Sequence, residues 1–341
     1  MIASMKNYFS LRNVWMFSII VTLIMSGVFR TPFATAQSSI SLGTAPSSPN
    51  VIDITTARPI TGARFQPATL SAEPFTATTS ISRAAREPVL VSHSSAASST
   101  EVINAGINYL LTQQKPDGSW QTSSGTEFFD TSAVVELLET IGSTSTATYA
   151  SSTDWIDHQF PNNNEFRADQ VRTLAVSGKY FTSPIQFLIN QYNDTDKGYG
   201  FQNSYASDPL VTAKVLRAVT AGDPSNIAVT ATLLYLVNHQ NSDGGWAEAP
   251  GLSSSVYATA VVLEALEPYK TFFLSGLPQG TVSFASITAN ALSYLANTQS
   301  VDGTWNQDLL DTALAFRALN RYQTSVTYAD PALSFLLSSQ A

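Results

Sequence analysis

Gln240-Asn-Ser-Asp-Gly-Gly-Trp246 sets a glutamine six residues ahead of a tryptophan across an Asp-Gly turn. The same spacing recurs as Gln114-Lys-Pro-Asp-Gly-Ser-Trp120 and Gln299-Ser-Val-Asp-Gly-Thr-Trp305. A pattern that returns three times marks a repeat architecture, in which each unit buries its apolar face on the next. An aromatic-leucine pair stands ahead of each glutamine, at Tyr109-Leu110, Tyr235-Leu236 and Tyr294-Leu295, and a further pair, Phe335-Leu336, precedes Gln340. Looser copies, Trp155-Ile156 before Gln159 and Phe187-Leu188 before Gln191, bring the first helices to six. Second helices open at Thr131-Ser132, Thr212-Ala213, Thr259-Ala260 and Thr312-Ala313, where apolar residues recur at helical steps of three and four.

Each residue type in the turn has a physical task. Asp117-Gly118, Asp243-Gly244 and Asp302-Gly303 supply a positive-φ turn and a side chain that bonds its own backbone. Tryptophan returns a large apolar area to the helix ends. Glutamine carries both donor and acceptor, so one side chain serves a neighbouring helix end. Small alanines and serines in the second helices let them pack closely. Two turns depart from the pattern: Phe-Pro-Asn-Asn-Asn-Glu-Phe166 after Gln159 has no Asp-Gly, and Tyr-Asn-Asp-Thr-Asp-Lys-Gly-Tyr-Gly-Phe201 after Gln191 is longer.

Gly106-x2-Tyr109-Leu110-x3-Gln114-x3-Gly118-x-Trp120 resembles the QW motif of squalene-hopene cyclases and of the wider prenyltransferase and squalene-oxidase repeat superfamily. The resemblance implies an all-α fold over 101–341, an α/α toroid of five to six helical hairpins with inner helices around a central cavity. It also implies where chemistry would sit. Cyclases of the protonating class carry an Asp-x-Asp-Asp-Thr-Ala acid motif, and two segments approach it: Asp308-Leu-Leu-Asp311-Thr-Ala313 and Glu127-Phe-Phe-Asp130-Thr-Ser132. Both lack the middle acid, with Leu310 and Phe129 in its place, and neither side chain can donate a proton. Asp130 and Asp311 read as helix-start caps, and with Asp308 and Glu127 they are the residues to test if the chain is catalytic. The prenyltransferase relatives bind zinc through Asp, Cys and His, but this chain has no cysteine. His158 and His239 precede equivalent glutamines and read as positional neighbours. Asn193-Asp-Thr-Asp-Lys-Gly198 reads as a turn rather than a calcium loop, since the twelfth position from Asp194 is Tyr205. No cofactor is expected.

The ends bound the context. Residues 1–36, with Lys6 and Arg12 ahead of an apolar run over 14–29 and an Ala34-Thr-Ala-Gln37 ending, read as an export signal. A retained membrane anchor over 14–29 is the alternative, and it is the chain's only expected membrane contact. Residues 37–100 are rich in Ser, Thr, Ala and Pro and read as a flexible spacer, within which Thr56-Ala-Arg-Pro59 and Glu87-Pro-Val-Leu-Val91 are the places for short extended pieces. From 101 onward ten Lys and Arg face twenty-two Asp and Glu, an acidity that disfavours nucleic acid. The expectation is an exported binding module for a protein, glycan or apolar ligand. A terpene cyclase, and a polysaccharide-cleaving toroid using paired carboxylates such as Asp208, are the enzyme alternatives. Aromatic residues after the turns, Phe128-Phe129, Tyr199, Phe201, Tyr205, Tyr257 and Phe272-Phe273, are the candidates for lining a ligand site.

Overall fold

The computed structural model describes residues 51–53, 99–203, 205–278, 280–322 and 326–339. The expected export signal, the anchor alternative over 14–29 and the extended pieces at 56–59 and 87–91 lie outside the described residues.

The chain is all-α with one small sheet. Its described helices are α1 (Ser99–Thr112), α2 (Glu127–Thr140), α3 (Ala147–Asp157), α4 (Asn164–Ser177), α5 (Thr182–Ile189) and α6 (Pro209–Gly222). They continue with α7 (Ile227–Asn238), α8 (Val256–Leu266), α9 (Phe284–Thr298), α10 (Leu309–Arg321) and α11 (Val326–Ser338). The even-numbered helices pack one on the next, α2 on α4, α4 on α6, α6 on α8 and α8 on α10, to form an inner ring. The odd-numbered helices lie outside it, giving the expected α/α toroid of five hairpins and one further helix. Inner helix α8 is enclosed on all sides, with every residue except Tyr257 buried. Ala213, Ala218, Ala260, Ala265, Ala315 and Ala318 are buried in α6, α8 and α10, where their size permits close approach.

The three Gln-to-Trp turns are superimposable in their bonding. Trp120 Nε1 donates to Leu110 O, Trp246 Nε1 to Leu236 O and Trp305 Nε1 to Leu295 O, each at 2.8 Å, so the indole satisfies a carbonyl near the end of its own outer helix. Each Trp backbone N–H donates to the repeat threonine of the following inner helix: Thr131 at 3.0 Å, Thr259 at 2.9 Å and Thr312 at 3.0 Å. The glutamine points the other way. Gln114 Nε2 reaches Thr148 O in α3 at 3.0 Å, and Gln240 Nε2 reaches Ile287 O in α9 at 2.9 Å, so each ties its own turn to the next outer helix. Asp117, Asp243 and Asp302 accept the N–H two residues on, at 3.0 Å in each case.

Glycine is required twice over in these turns. Gly118, Gly244 and Gly303 have φ of 93°, 89° and 87°, a region that side chains other than hydrogen strain to enter. A Cβ there would stand 2.4 Å from Ser151 O, 2.5 Å from Asn290 O and 2.5 Å from Pro331 C, so the turn packs directly on the backbone of the next outer helix. The motif is therefore an inter-unit joint as well as a turn.

Both degenerate units keep part of this joint by other means. Tyr199 occupies the tryptophan position: its N–H donates to Thr212 Oγ1 at 3.0 Å and its hydroxyl to Ile189 O at 3.3 Å. Lys197 takes the left-handed turn position at φ 68°. In the other unit, α4 supplies Gln170, whose Nε2 donates to Ile156 O at 2.9 Å, the carbonyl that an indole serves elsewhere.

Within 37–100, read from the sequence as a flexible spacer with room for short extended pieces, one short strand is described ahead of the start of α1 at Ser99. Strand β1 (Val51–Asp53) pairs in parallel with β2 (Phe273–Leu277), which pairs antiparallel with β3 (Gly280–Ser283) between α8 and α9. A three-residue strand gains backbone hydrogen bonds from an available edge without needing a core of its own, which composition does not register. No helix among the described residues is long and apolar enough to cross a membrane.

Candidate functional site: the axis of the inner ring

Counting from the repeat threonine identifies the residues that face the axis. Two residues before it stand Phe129, Leu210, Tyr257 and Leu310, and the corresponding place in α4 holds Glu165. Two residues after it come Ala133, Lys214, Val261 and Leu314, with Asp169 from α4. Five residues after it come Glu136, Arg217, Glu264 and Arg317, with Arg172 from α4. The helical period stacks these as three layers, and the lower two, with Phe129 and Tyr257, line a cavity of about 80 Å³.

The lowest layer is a closed set of ion pairs. Arg317 grips Glu264 through Nε and through a second bond of 2.6 Å from its terminal nitrogen to Oε2. Arg217 donates to Glu136 Oε1 at 2.7 Å and approaches Glu264 Oε2 at 3.7 Å. Arg317 also lies 3.7 Å from Glu136, which joins the last inner helix to the first and closes the ring. Arg172 reaches Glu139 Oε2 at 2.6 Å. One layer up, Lys214 Nζ bonds Glu165 at 2.8 Å and Asp169 at 3.1 Å.

The titration behaviour follows from this crowding. Burial pushes the Glu136 carboxyl up, but Arg217, Arg172 and Arg317 outweigh it and hold the group well below its usual range. Burial pulls the Lys214 ammonium down, and Asp169 and Glu165 outweigh that too, raising it above its ordinary value. At both Glu136 and Lys214 the neighbouring opposite charges favour the charged form. Four of the ten cations of the folded region sit here.

None of the four acids named from the sequence lines this cavity, and the capping roles read for two of them are corrected. Asp308, not Asp311, caps α10, accepting from the N–H of Leu310 at 2.8 Å and of Asp311 at 3.1 Å. Asp311 lies inside the first turn and accepts from Asn306 Nδ2 at 2.7 Å, with its carboxyl raised chiefly by burial. Asp130 is one turn into α2 and buried. It accepts from the Thr122 N–H at 2.7 Å and the Thr126 hydroxyl at 2.6 Å, fixing the loop that leads into the helix. Glu127 accepts from Ser119 Oγ at 2.9 Å and pairs with Lys115. Asp and Thr spaced along a helix start can cap it from more than one position, and the loop length decides which one does.

Other sequence candidates separate in the same way. His158 and His239 each end an outer helix, with Nδ1 at 2.7 Å from Asp154 O and 2.8 Å from Tyr235 O. In the 193–198 turn, Asn193 Oδ1 accepts from Thr195 N–H at 2.9 Å and Asp196 Oδ2 accepts from Ser207 N–H at 2.7 Å, so these oxygens serve backbone rather than converge. Tyr199 is core, Phe128 stacks on Phe166 at 5.1 Å, and Phe272 packs on Tyr269 at 5.7 Å. Phe201 and Tyr205 remain exposed.

Asp208, the N-cap of α6, accepts from Val211 N–H at 2.7 Å, yet burial, with Glu165 and Asp196 nearby, pushes its carboxyl up to about 7. An acid raised in the folded state contributes most below its unfolded value near 3.8, and that contribution is lost as the pH climbs to about 7. Between pH 4 and 7.5 the wild type should therefore lose about 1–3 kcal/mol relative to Asp208→Asn, read from urea unfolding at each pH. Parallel pH profiles for the two proteins would show that Asp208 titrates normally.

No protein-family model matches the chain, and no curated protein matches it. Among solved structures it is similar to a protein from Actinoplanes, with a TM-score of 0.50 and 14% identity over 66% of this chain and 84% of that one. It is also similar to part of E. coli alpha-2-macroglobulin in its native conformation, with a TM-score of 0.42 and 17% identity over 65% of this chain and 14% of that one. The likeness to the Actinoplanes protein is one of fold.

Proposed function

We propose that the chain is an exported, non-catalytic binding module built on the repeat of the squalene-cyclase and prenyltransferase superfamily, with the ligand held on the outside of the ring. The observation that carries this is the filled axis. About 80 Å³ remains where a cyclase-like toroid would need a substrate chamber, against roughly 300–1,000 Å³ for ordinary ligand pockets. Its walls carry Glu136, Asp169, Arg172, Lys214, Arg217, Glu264 and Arg317, a lining in which an apolar polyene would bury charge. The position of the middle acid supports the same reading. Phe129 and Leu310 stand there in two helices, and the one acid at that level, Glu165, is engaged by Lys214. Export rests on the leader-like residues 1–36.

The test is product analysis after prolonged incubation of the full chain with squalene and, separately, with a prenyl diphosphate. No cyclised product is expected. Formation of one, abolished by Asp130→Asn or Asp311→Asn, would replace this reading with the cyclase alternative.

A further inference from the structure

Where the repeat departs from its pattern, the surface changes character. Among the described residues the five exposed aromatic side chains, Phe160, Tyr180, Phe187, Phe201 and Tyr205, all fall between 160 and 205. The same region holds an open cavity of about 450 Å³, within the range of small-molecule sites. Three segments wall it: the loop into α4, the end of α5 and the long turn after Tyr199. Its lining is uniform in chemistry. Apart from Phe187, every lining side chain is a carboxamide, among them Asn162, Gln191, Gln202 and Asn203, and none is charged.

The floor of this groove is fixed. Asn164 N–H donates to Phe201 O and its Nδ2 to Gly200 O, both at 2.9 Å, and Gln202 Nε2 reaches Asn162 O at 3.3 Å. The Arg167 guanidinium lies 4.8 Å from the Phe187 ring centroid and donates to Pro161 O at 2.5 Å, which holds the ring in place. The side chains of Gln191 and Asn203 make no hydrogen bond among the described residues, leaving a donor and an acceptor on each for a ligand. This combines a rigid floor with unspent polar groups and one exposed ring.

We propose that this groove binds a neutral glycan, an inference that rests on the binding-module reading and names its ligand class. A carboxamide presents a donor and an acceptor side by side, which matches adjacent sugar hydroxyls, each able to give and to accept. The C–H face of a pyranose ring carries partial positive charge and meets the negative face of an aromatic ring such as Phe187. Other ligand classes fit less well. A single apolar wall does not hold a lipid. A peptide strand needs a free backbone edge, and the groove's backbone groups at Asn164 and Phe201 are paired to each other. Phosphate-bearing or uronate ligands meet a folded region with twenty-two acids against ten cations, four of which are held at the axis.

Affinity electrophoresis of the full chain tests this, with laminarin, hydroxyethyl cellulose, galactomannan and xylan in the gel and polygalacturonate as the charged probe. At least one neutral polymer should retard the wild type. Phe187→Ala and Asn203→Ala should weaken that retardation at least tenfold. Asn203 is exposed and has no internal partner, so its variant keeps the test valid if the Phe187 variant misfolds. No retardation by any neutral polymer, retardation by polygalacturonate alone, or undiminished retardation of both variants would each overturn the proposal. Reducing-end release is measured in the same mixtures. Release would refute the non-catalytic reading while leaving the groove assignment standing, whereas absence of both binding and release refutes the groove alone.

Discussion

Trp246→Ala is expected to lower the free energy of unfolding by about 3–5 kcal/mol, the range for deleting a buried large aromatic. Three losses act together. The side chain is fully buried, so its removal leaves a void that the rigid helix ends cannot close. The Leu236 carbonyl loses its 2.8 Å donor and keeps only the longer 3.3 Å bond from the His239 N–H. The joint to the next unit loosens too, since Gly244 in the same turn packs on Asn290 of α9. Val301→Ala, at a largely exposed position of the equivalent turn, should change stability by less than about 0.5 kcal/mol. Guanidinium unfolding of the two variants reads the difference. A Trp246 variant within 1 kcal/mol of the wild type would mean that the indole is not a structural joint.

Glu264→Gln is expected to cost about 3–5 kcal/mol, as for the removal of one partner from a buried ion pair. Glu264 is the most enclosed of the network acids, with 2% of its side chain exposed, and it faces both Arg317 and Arg217. Removing its charge leaves Arg317, itself 8% exposed, without the carboxylate that takes two of its bonds. The double variant Glu264→Met with Arg317→Met should recover most of the loss, because replacing a buried pair by apolar side chains of similar volume is often close to neutral. A single variant costing more than the double is the signature of a desolvated pair.

The fold was legible because its decisive signal is local. The turn from Gln240 to Trp246 states where a helix ends, how the chain reverses and what returns to the core, and three copies define the unit. Helix α4 escaped the same reading for a physical reason. Asn-Glu-Phe-Arg-Ala-Asp-Gln-Val-Arg-Thr-Leu-Ala-Val-Ser puts charge rather than apolar residues on its inner face, so it lacks the period that identifies an inner helix. The charges it carries, Glu165, Asp169 and Arg172, are three of the eight at the axis.

The axial network did leave a trace in the sequence. Glu136, Arg217, Glu264 and Arg317 each stand five residues after a repeat threonine, isolated within apolar helix, and a lone charge at the same register in four units signals a shared partner set. Reading the acid motif alone directed attention to Asp130 and Asp311, whose positions near the helix starts serve loop geometry instead. The carboxamide groove was not legible at all. It is assembled from residues 162, 187, 191 and 203, which only the detours of the two irregular turns bring together.

The central claim is that buried ion pairs fill the axis of the ring among the described residues. A double-mutant cycle between Glu264→Gln and Arg317→Met, followed by equilibrium urea unfolding, tests it most directly. The account predicts a coupling energy of about 2 kcal/mol or more, little affected by added salt. A coupling below about 0.5 kcal/mol that vanishes in salt, as for solvated surface pairs, would mean that these side chains line an open, water-filled cavity and would contradict it.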